Sequence, residues 1–408
     1  IQAEYSDWGE TEAYPLITYT DGDRVSQLRH FRPENTKEVK VELIKEDDLA
    51  TIIEKSLSNG GIAGIVVNTV KRAQCLAREL ECVYGKENIS VLHSSFLAPH
   101  RREKEKQLLN EIGKNGERPK LKIIIGTQVL EQSLDIDFDV LITDIAPVDL
   151  LLQRIGRLHR HMETERPENL KTPVVHVMGA QTMAEFEGGT SKIYGDYLLT
   201  RTQLVLPKKL MLPEDISRLV QKVYMGKELD IPQSIRKKYE EMKEEDMLKM
   251  KARENNANAY LLKRPFDSEG NSLIGWLKDN PPCDTEEAGL AKVRDGTDSI
   301  EVFLVKRKET ELYLLDDTTN INGDLTYGLA KKISQQTIRL PHIFCYKTDK
   351  VIKELEQRNI VELPHWQENP WLKGSLGIIL DEDNSATLVG YKIHYDKQYG
   401  MTYGKEER

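Results

Sequence analysis

Two short stretches in the middle of the chain hold residues whose types and spacing suit work on phosphate groups. The first is Leu150-Leu151-Leu152-Gln153-Arg154-Ile155-Gly156-Arg157-Leu158-His159-Arg160. At about 100° per residue, a helix through this stretch sets Gln153, Arg157 and Arg160 in one narrow stripe, with Leu151, Ile155 and Leu158 on the opposite face. One face anchors while the other points outward. Paired guanidinium groups suit a cluster of anionic oxygens, because arginine donates two parallel hydrogen bonds and stays charged. Phosphoryl transfer needs such charges where negative charge is redistributed, and an arginine there is worth roughly 10³ to 10⁵ in rate. The plainer account is an exposed basic helix carrying a salt bridge or two.

The second stretch runs Ile123-Ile124-Ile125-Gly126-Thr127-Gln128-Val129-Leu130-Glu131-Gln132-Ser133-Leu134-Asp135-Ile136-Asp137. A strand ending on Gly126 lets backbone approach a ligand, and Thr127 then offers a hydroxyl and an amide to a phosphate. Asp135 is placed to hold a ribose hydroxyl. Taken singly, Gly126-Thr127 is also an ordinary strand-to-helix turn and Asp135 an ordinary turn residue.

Positioning these groups requires a sheet. Between about residues 40 and 180, β-branched runs alternate with helical stretches, and the strand candidates are Ile62–Asn68, Ile89–His93, Lys122–Thr127, Phe138–Thr143 and Pro173–Met178. Runs such as Gly64-Ile65-Val66-Val67 are apolar at every position, as expected for a parallel sheet covered by helices on both faces. In open sheets of this kind ligands gather beyond the carboxyl ends of the strands. Four of the five candidates end in small polar groups: Asn68-Thr69, His93-Ser94-Ser95, Gly126-Thr127-Gln128 and Thr143-Asp144. Each of these also works as a simple helix cap.

Outside that region the texture changes. Residues 1–40 are turn-rich (Asp21-Gly22-Asp23, Arg32-Pro33) and read as a connector from a preceding domain. Residues 206–264 read as a helical linker, with a charged helix over 234–255 whose Ile235, Tyr239, Met242, Met247 and Met250 pack along another domain. From 265 to 408 the pattern is a small α+β domain, with strands at Ser299–Lys306, Leu312–Leu315, Gly377–Leu380 and Ala386–Ile393 and a helix near 349–357. Asp381-Glu382-Asp383 imitates an acidic magnesium-binding strand end, but Asn384-Ser385 leads into another strand, so a hairpin turn is expected there.

With 408 residues, 39% hydrophobic and 31% charged, the chain has the composition of a globular protein of two or three domains, with no apolar run of bilayer-spanning length. It begins Ile1-Gln2-Ala3, without a secretory signal, and the numbering is expected to start inside a longer polypeptide. Cys75, Cys82, Cys283 and Cys345 form no Cys-x-x-Cys pair; Cys75 and Cys82 share one helix face, which fits reduced core thiols in the cytoplasm and no metal site. A net charge of -9 argues against general polyanion coating. Residues 101–122 are locally basic, as a solvated helix face or a phosphate contact.

The order Ile65–Thr69, Gly126–Asp135, Gln153–Arg160 resembles motifs IV, V and VI of superfamily-two helicases. Within that superfamily Glu131–Asp137, Gln153–His161, His93-Ser94-Ser95 and the later Val293-Arg294-Asp295-Gly296 and Ser299-Ile300-Glu301-Val302 are similar to the CRISPR-associated helicase-nuclease of type I systems. The resemblance implies a RecA-like α/β domain over 41–205. It implies that Arg157 and Arg160 reach the γ-phosphate of ATP, that Gln153 supports them, and that Asp135 and Gly126 meet the nucleotide. Thr127, Asn68, Thr69 and Ser94 would contact single-stranded DNA. ATP with Mg²⁺ would be held jointly with a missing first motor domain, and a nuclease metal belongs only to a missing amino-terminal nuclease domain. The implied partners are those two domains, single-stranded DNA and an RNA-guided surveillance complex; no membrane is involved. No Gly-x-x-x-x-Gly-Lys-Ser/Thr loop and no His-Asp pair occur in the chain, so this chain alone is expected to be inactive. Two other readings stay open: a superfamily-two remodeller acting on RNA or repair intermediates, and a non-catalytic fragment that docks on a protein complex.

Overall fold

The computed structural model describes residues 2–20, 22–31, 35–131, 134–259 and 299–405. Within 2–31, strands β1 (Gln2–Ala3), β2 (Ile17–Thr20) and β3 (Arg24–Leu28) form a small sheet in the order β1-β3-β2. The stretch read as a connector thus has a fold of its own. Asp21, Arg32 and Pro33 lie outside the described residues.

The central sheet has seven strands: β4 (Lys37–Ile44), β5 (Gly61–Val66), β6 (Ile89–Leu92), β7 (Leu121–Gly126), β8 (Val140–Asp144), β9 (Val174–Met178) and β10 (Lys209–Leu212). Their order is β10-β4-β9-β8-β5-β7-β6, with every pairing parallel except the edge pair β10–β4. The all-apolar runs explain why the middle strands are buried on both faces. Ile62, Val66, Ile124 and Leu141 point to one core, with Leu108 and Ile112 of α3 (Ala98–Ile112), Val148 and Ile155 of α4 (Val148–Ile155), Leu199 of α6 (Asp196–Val205) and Leu219 and Val223 of α7 (Asp215–Tyr224). Ile65, Ile123, Ile125 and Ile142 point to the other, with Ile53 of α1 (Leu49–Ser56) and Ala73, Ala77 and Leu80 of α2 (Val70–Tyr84). This is a RecA-like α/β domain. Its sheet runs past the expected 41–205 at both ends, because β4 begins at Lys37 and β10 lies in the stretch read as linker.

The described part of the stretch read as a linker holds β10, α7 and then one long helix, α8 (Arg236–Ala259). Arg201, 2% exposed, ties it down: Nη1 donates to the Tyr239 hydroxyl at 2.7 Å, Nε to the Val223 carbonyl at 2.8 Å and Nη2 to the Lys227 carbonyl at 2.7 Å. Ile235 and Tyr239 are buried, but Met247 and Met250 are exposed, so only the first turns of this helix pack as expected.

The terminal domain is α+β. Strands β11 (Glu301–Lys308), β12 (Glu311–Tyr313), β13 (Thr337–Arg339) and β14 (Gly377–Leu380) form one sheet, and β15 (Ser385–Leu388), β16 (Tyr391–Asp396) and β17 (Gly400–Lys405) an antiparallel meander. A helix at Thr348–Glu362 covers the expected 349–357. The expected single strand Ala386–Ile393 is two, because Val389 and Gly390 take positive φ (49° and 75°) and turn the chain back. Asp381–Asn384 is a tight turn, but β14 and β15 enter different sheets, so it is no hairpin. Cys75 and Cys82 do share a face of α2, and it faces solvent rather than the core. Cys283 and Val293–Gly296 lie outside the described residues. Among the described residues no helix is long and apolar enough to cross a membrane.

Candidate functional site

Because β5, β6, β7 and β8 are parallel neighbours, their carboxyl ends meet on one rim. Asn68, His93, Thr127 and Asp144 arrive there together. Gly126 is needed for that closeness: a Cβ would stand 2.4 Å from the Leu92 carbonyl oxygen. Close strand-to-strand approach by itself therefore keeps this position glycine.

Beneath the rim lies Arg154, 1% exposed. Its Nε donates to Glu131 Oε1 at 2.7 Å, Nη1 to Thr143 Oγ1 at 2.7 Å and to the Asp144 carbonyl at 3.0 Å, and Nη2 to Asn68 Oδ1 at 3.0 Å. Asn68 in turn donates its amide to the Ile145 carbonyl and Thr190 Oγ1, and its own carbonyl accepts from Gln128 Nε2. Every polar atom of the Asn68 side chain is therefore used inside the protein; it shapes the rim rather than reaching from it. Burial pushes the Glu131 and Asp144 carboxyls above the usual carboxylate range, with Arg154 pulling Glu131 back and Arg72 pulling Asp144 back.

Glu131 faces two ways. Its carboxylate holds Arg154, and its backbone carbonyl accepts from Arg157 Nη2 at 2.9 Å. The Arg157 Nε is buried and has no hydrogen-bond partner among the described residues. Burial, and then the charge of Arg160, lower the Arg157 pKa, so the two cations together favour an incoming anion.

Arg160 gets there by a route the helical stripe does not give. Helix α4 ends at Ile155, the Arg157 and Leu158 N–H groups close short turns on Arg154 and Ile155, and His159 takes φ 47°. The chain then pairs with the segment that leads into the preceding strand, β8: Phe138 N–H donates to the Arg157 carbonyl and His159 N–H to that of Phe138, at 2.8 and 2.9 Å. Leu151, Ile155 and Leu158 are buried as expected. Gln153, still on the helix, is exposed. The Arg160 N–H donates to Asp137 Oδ1 at 2.8 Å, while its Nε and His161 both engage the exposed Asp135, whose pKa the Arg160 contact lowers. Asp137 and Asp139 are buried against Arg166 and Arg118 and brace this segment from behind. A cavity of about 1030 Å³ opens beside it, lined among others by Lys37, Lys114, Arg118, Asp135 and Arg160.

On the other side of the rim, Ser94 is exposed, Thr69 is half-buried and caps α2 by accepting from Arg72 N–H, and Thr127 is 2% exposed with its N–H on the Leu92 carbonyl. Gln132 and Ser133 lie outside the described residues. The basic stretch over 101–122 spends much of its charge internally, Arg118 on Asp137 and Asp139, Arg101 on Glu105, Lys122 on Glu111.

Comparison with known proteins decides the family. Residues 59–163 match the family model "CRISPR-associated nuclease/helicase Cas3, C-terminal", and residues 294–401 match "Cas3 C-terminal domain". A CRISPR-associated nuclease/helicase Cas3 of Streptococcus thermophilus is 46% identical over 400 residues, 96% of this chain and 43% of that protein. The chain belongs to the Cas3 family. It spans less than half the length of the curated Cas3 relative it matches. A crystal structure of a CRISPR-associated protein superposes with a TM-score of 0.81 at 28% identity, over 97% of this chain and 44% of the other. Cas3 of T. fusca with AMPPNP has the same fold, with a TM-score of 0.75 at 24% identity, 93% of this chain and 44% of that one. So does a chain of an RNA-guided surveillance complex before nicking, at 0.72 and 24%, 96% and 48%.

Within this Cas3 half, the structure brings Arg157, Arg160 and Asp135 onto one face and Thr69, Thr127 and Ser94 onto the strand-end rim, with Arg154 and Glu131 between them. Arg154 was not singled out from sequence, yet its signal was there. It lies three residues after Leu151 and four before Leu158, a cation on the apolar side of the helix, which calls for a buried anion or a set of buried acceptors.

Proposed function

We propose that this chain is the carboxyl half of a Cas3 motor that moves along single-stranded DNA at the expense of ATP, in a protein that also carries a first motor domain and a nuclease. One observation carries the reading: among the described residues Arg157 is held by the Glu131 carbonyl at Nη2, with its buried Nε unpaired beside a second cation. Such a group is preset for a polyanion. Arg157 and Arg160 would meet the γ-phosphate of ATP seated on the facing domain, Gln153 would support them, and Asp135 would leave Arg160 and His161 for the nucleotide. The Mg²⁺ would arrive with ATP. Thr127, Thr69 and Ser94 would contact the DNA backbone, with Asn68 holding their loop from behind. Closure of the cleft on ATP would then shift these contacts relative to those of the other domain.

The fold shared with a chain of a surveillance complex supports recruitment by such a complex. DNA binding would be mainly electrostatic and weaken with salt. In the intact parent protein, Arg157→Ala is expected to lower DNA-stimulated ATP turnover by about 10³-fold or more, with single-strand affinity nearly unchanged. Full turnover in that variant would sink the motor reading. Stronger stimulation by RNA than by a matched DNA strand would overturn the choice of DNA.

A further inference from the structure

The last hairpin of the terminal domain, β16 and β17 with the turn between them, reaches back onto the loop that carries Ser94. Met401 N–H donates to the Ser95 carbonyl at 2.8 Å. Gln74 of α2 donates its amide to the carbonyls of Tyr399 at 2.8 Å and Met401 at 2.9 Å. His93, 0% exposed, joins the two sides. Its Nδ1 accepts from Ser95 N–H at 3.2 Å, which leaves the proton on Nε2, and that nitrogen donates to the Tyr399 carbonyl at 3.0 Å. The Tyr395 hydroxyl accepts from Leu97 N–H at 3.2 Å and lies 2.7 Å from His100 Nδ1. The Leu97 side chain is counted in the terminal domain's own core, with Ile393, Tyr395 and Met401.

Only glycine at 400 permits this approach. Its φ is +70°, and a Cβ would stand 2.3 Å from the Ser95 carbonyl oxygen and 2.9 Å from His93 Cε1. The loop is thus bonded to a different domain at His93, Ser95 and Leu97, while Ser94 between them stays exposed. A contact meant only to glue two domains together would not need to fix three of five consecutive residues around an open hydroxyl.

We propose that the carboxyl-terminal hairpin is a latch that sets the shape of the His93–Leu97 loop, so that the Ser94 hydroxyl meets a phosphodiester of the single strand. Tyr395, Gly400 and His93 act as positioning residues through Ser94. This rests on the reading of the rim as the strand-binding side, and the experiment separates the two.

In the intact parent protein, ATP turnover is followed against single-stranded oligonucleotide concentration for Ser94→Ala, Tyr395→Phe, Gly400→Ala and the Ser94→Ala/Tyr395→Phe pair. Each single change is expected to raise the oligonucleotide concentration for half-maximal stimulation about three- to tenfold, the worth of one hydrogen bond. Turnover at saturating DNA and the KM for ATP stay unchanged. The pair shifts no further than Ser94→Ala alone, because the latch acts through that residue. If Ser94→Ala weakens DNA stimulation while Tyr395→Phe and Gly400→Ala do not, or if the pair is additive, the latch is overturned. A fall in saturating turnover together with the unfolding midpoint, without a shift in DNA concentration, also overturns it, since that marks a mere packing contact. Ser94→Ala without any effect removes the strand-binding reading itself. Tyr395→Phe keeps the ring in place and carries the test if Gly400→Ala does not fold.

Discussion

Four elements share the guanidinium of Arg154: the exit of β5 through Asn68, the loop after β7 through Glu131, the end of β8 through Thr143 and Asp144, and α5 (Gly188–Tyr194) through the Tyr194 hydroxyl. Removing it leaves Glu131 as an unpaired buried carboxylate. Arg154→Ala is therefore expected to cost about 3–5 kcal/mol in chemical denaturation. The cost should depend on pH in a defined sense. Without Arg154 the Glu131 carboxyl rises further above its unfolded value, and a carboxyl raised in the fold stabilises most below its unfolded pKa and loses that contribution as pH climbs through the folded one. The variant should thus be closer to the parent sequence at pH 5 than at pH 8. A gap between the two that is constant with pH would mean that Glu131 is not the group stranded.

At the scale of elements, the strand-end rim depends on β7 lying close to both its neighbours, so that Val67 N–H at the end of β5 reaches the Gly126 carbonyl and Thr127 N–H reaches the Leu92 carbonyl of β6. Gly126→Ala places a methyl group against the Leu92 carbonyl and the Leu130 side chain, so the strands must part. A loss of about 1–3 kcal/mol is expected by thermal or chemical unfolding, with ATP stimulation weakened because Thr127 moves; an unchanged midpoint would contradict the geometry. The central strands and the motif order were legible in the sequence because parallel strands covered on both faces are apolar at every position and here are rich in β-branched residues. Lys37–Ile44 and the edge strand Lys209–Leu212 lie outside the apolar runs, because the first alternates polar and apolar residues and the second is only four residues long. The arginine stripe was legible as chemistry but not as geometry. Periodicity cannot foresee that His159 enters the left-handed region and that Leu158 pairs with Phe138, which takes Arg160 off the helix. The hairpin contact on His93 was invisible for a further reason: it joins residues some 300 positions apart through backbone carbonyls that any residue supplies.

For the whole molecule, the seam between the two domains carries a titratable group at its centre. His93 is buried between the motor domain and the Tyr399 carbonyl, and burial, with Lys104 of α3 adding to it, lowers its pKa to about 3. In the unfolded chain the same imidazole takes up a proton near pH 6.5. Lys104 is itself depressed to about 8, chiefly by burial and partly offset by Asp396 of the hairpin, so it remains cationic in acid and does not ease protonation of His93. A histidine depressed in the fold contributes stability that is complete above pH 6.5 and is lost as pH falls, by about 1.4 kcal/mol per pH unit until the folded value is reached. His159, lowered to about 4 by burial and by Arg166, adds a second contribution inside the motor domain. Unfolding midpoints measured from pH 7.5 to 4.5 should therefore fall more steeply than carboxylate titration alone explains. His93→Gln should begin lower at pH 7.5, because Gln cannot make both His93 contacts with the same geometry, yet decline less steeply, because His93 is gone from the histidines depressed by burial, which also include His100, His159 and His176. Parallel curves for the two proteins would show that His93 meets protons equally in the folded and unfolded chain, and that the seam is open to water where the hairpin closes it.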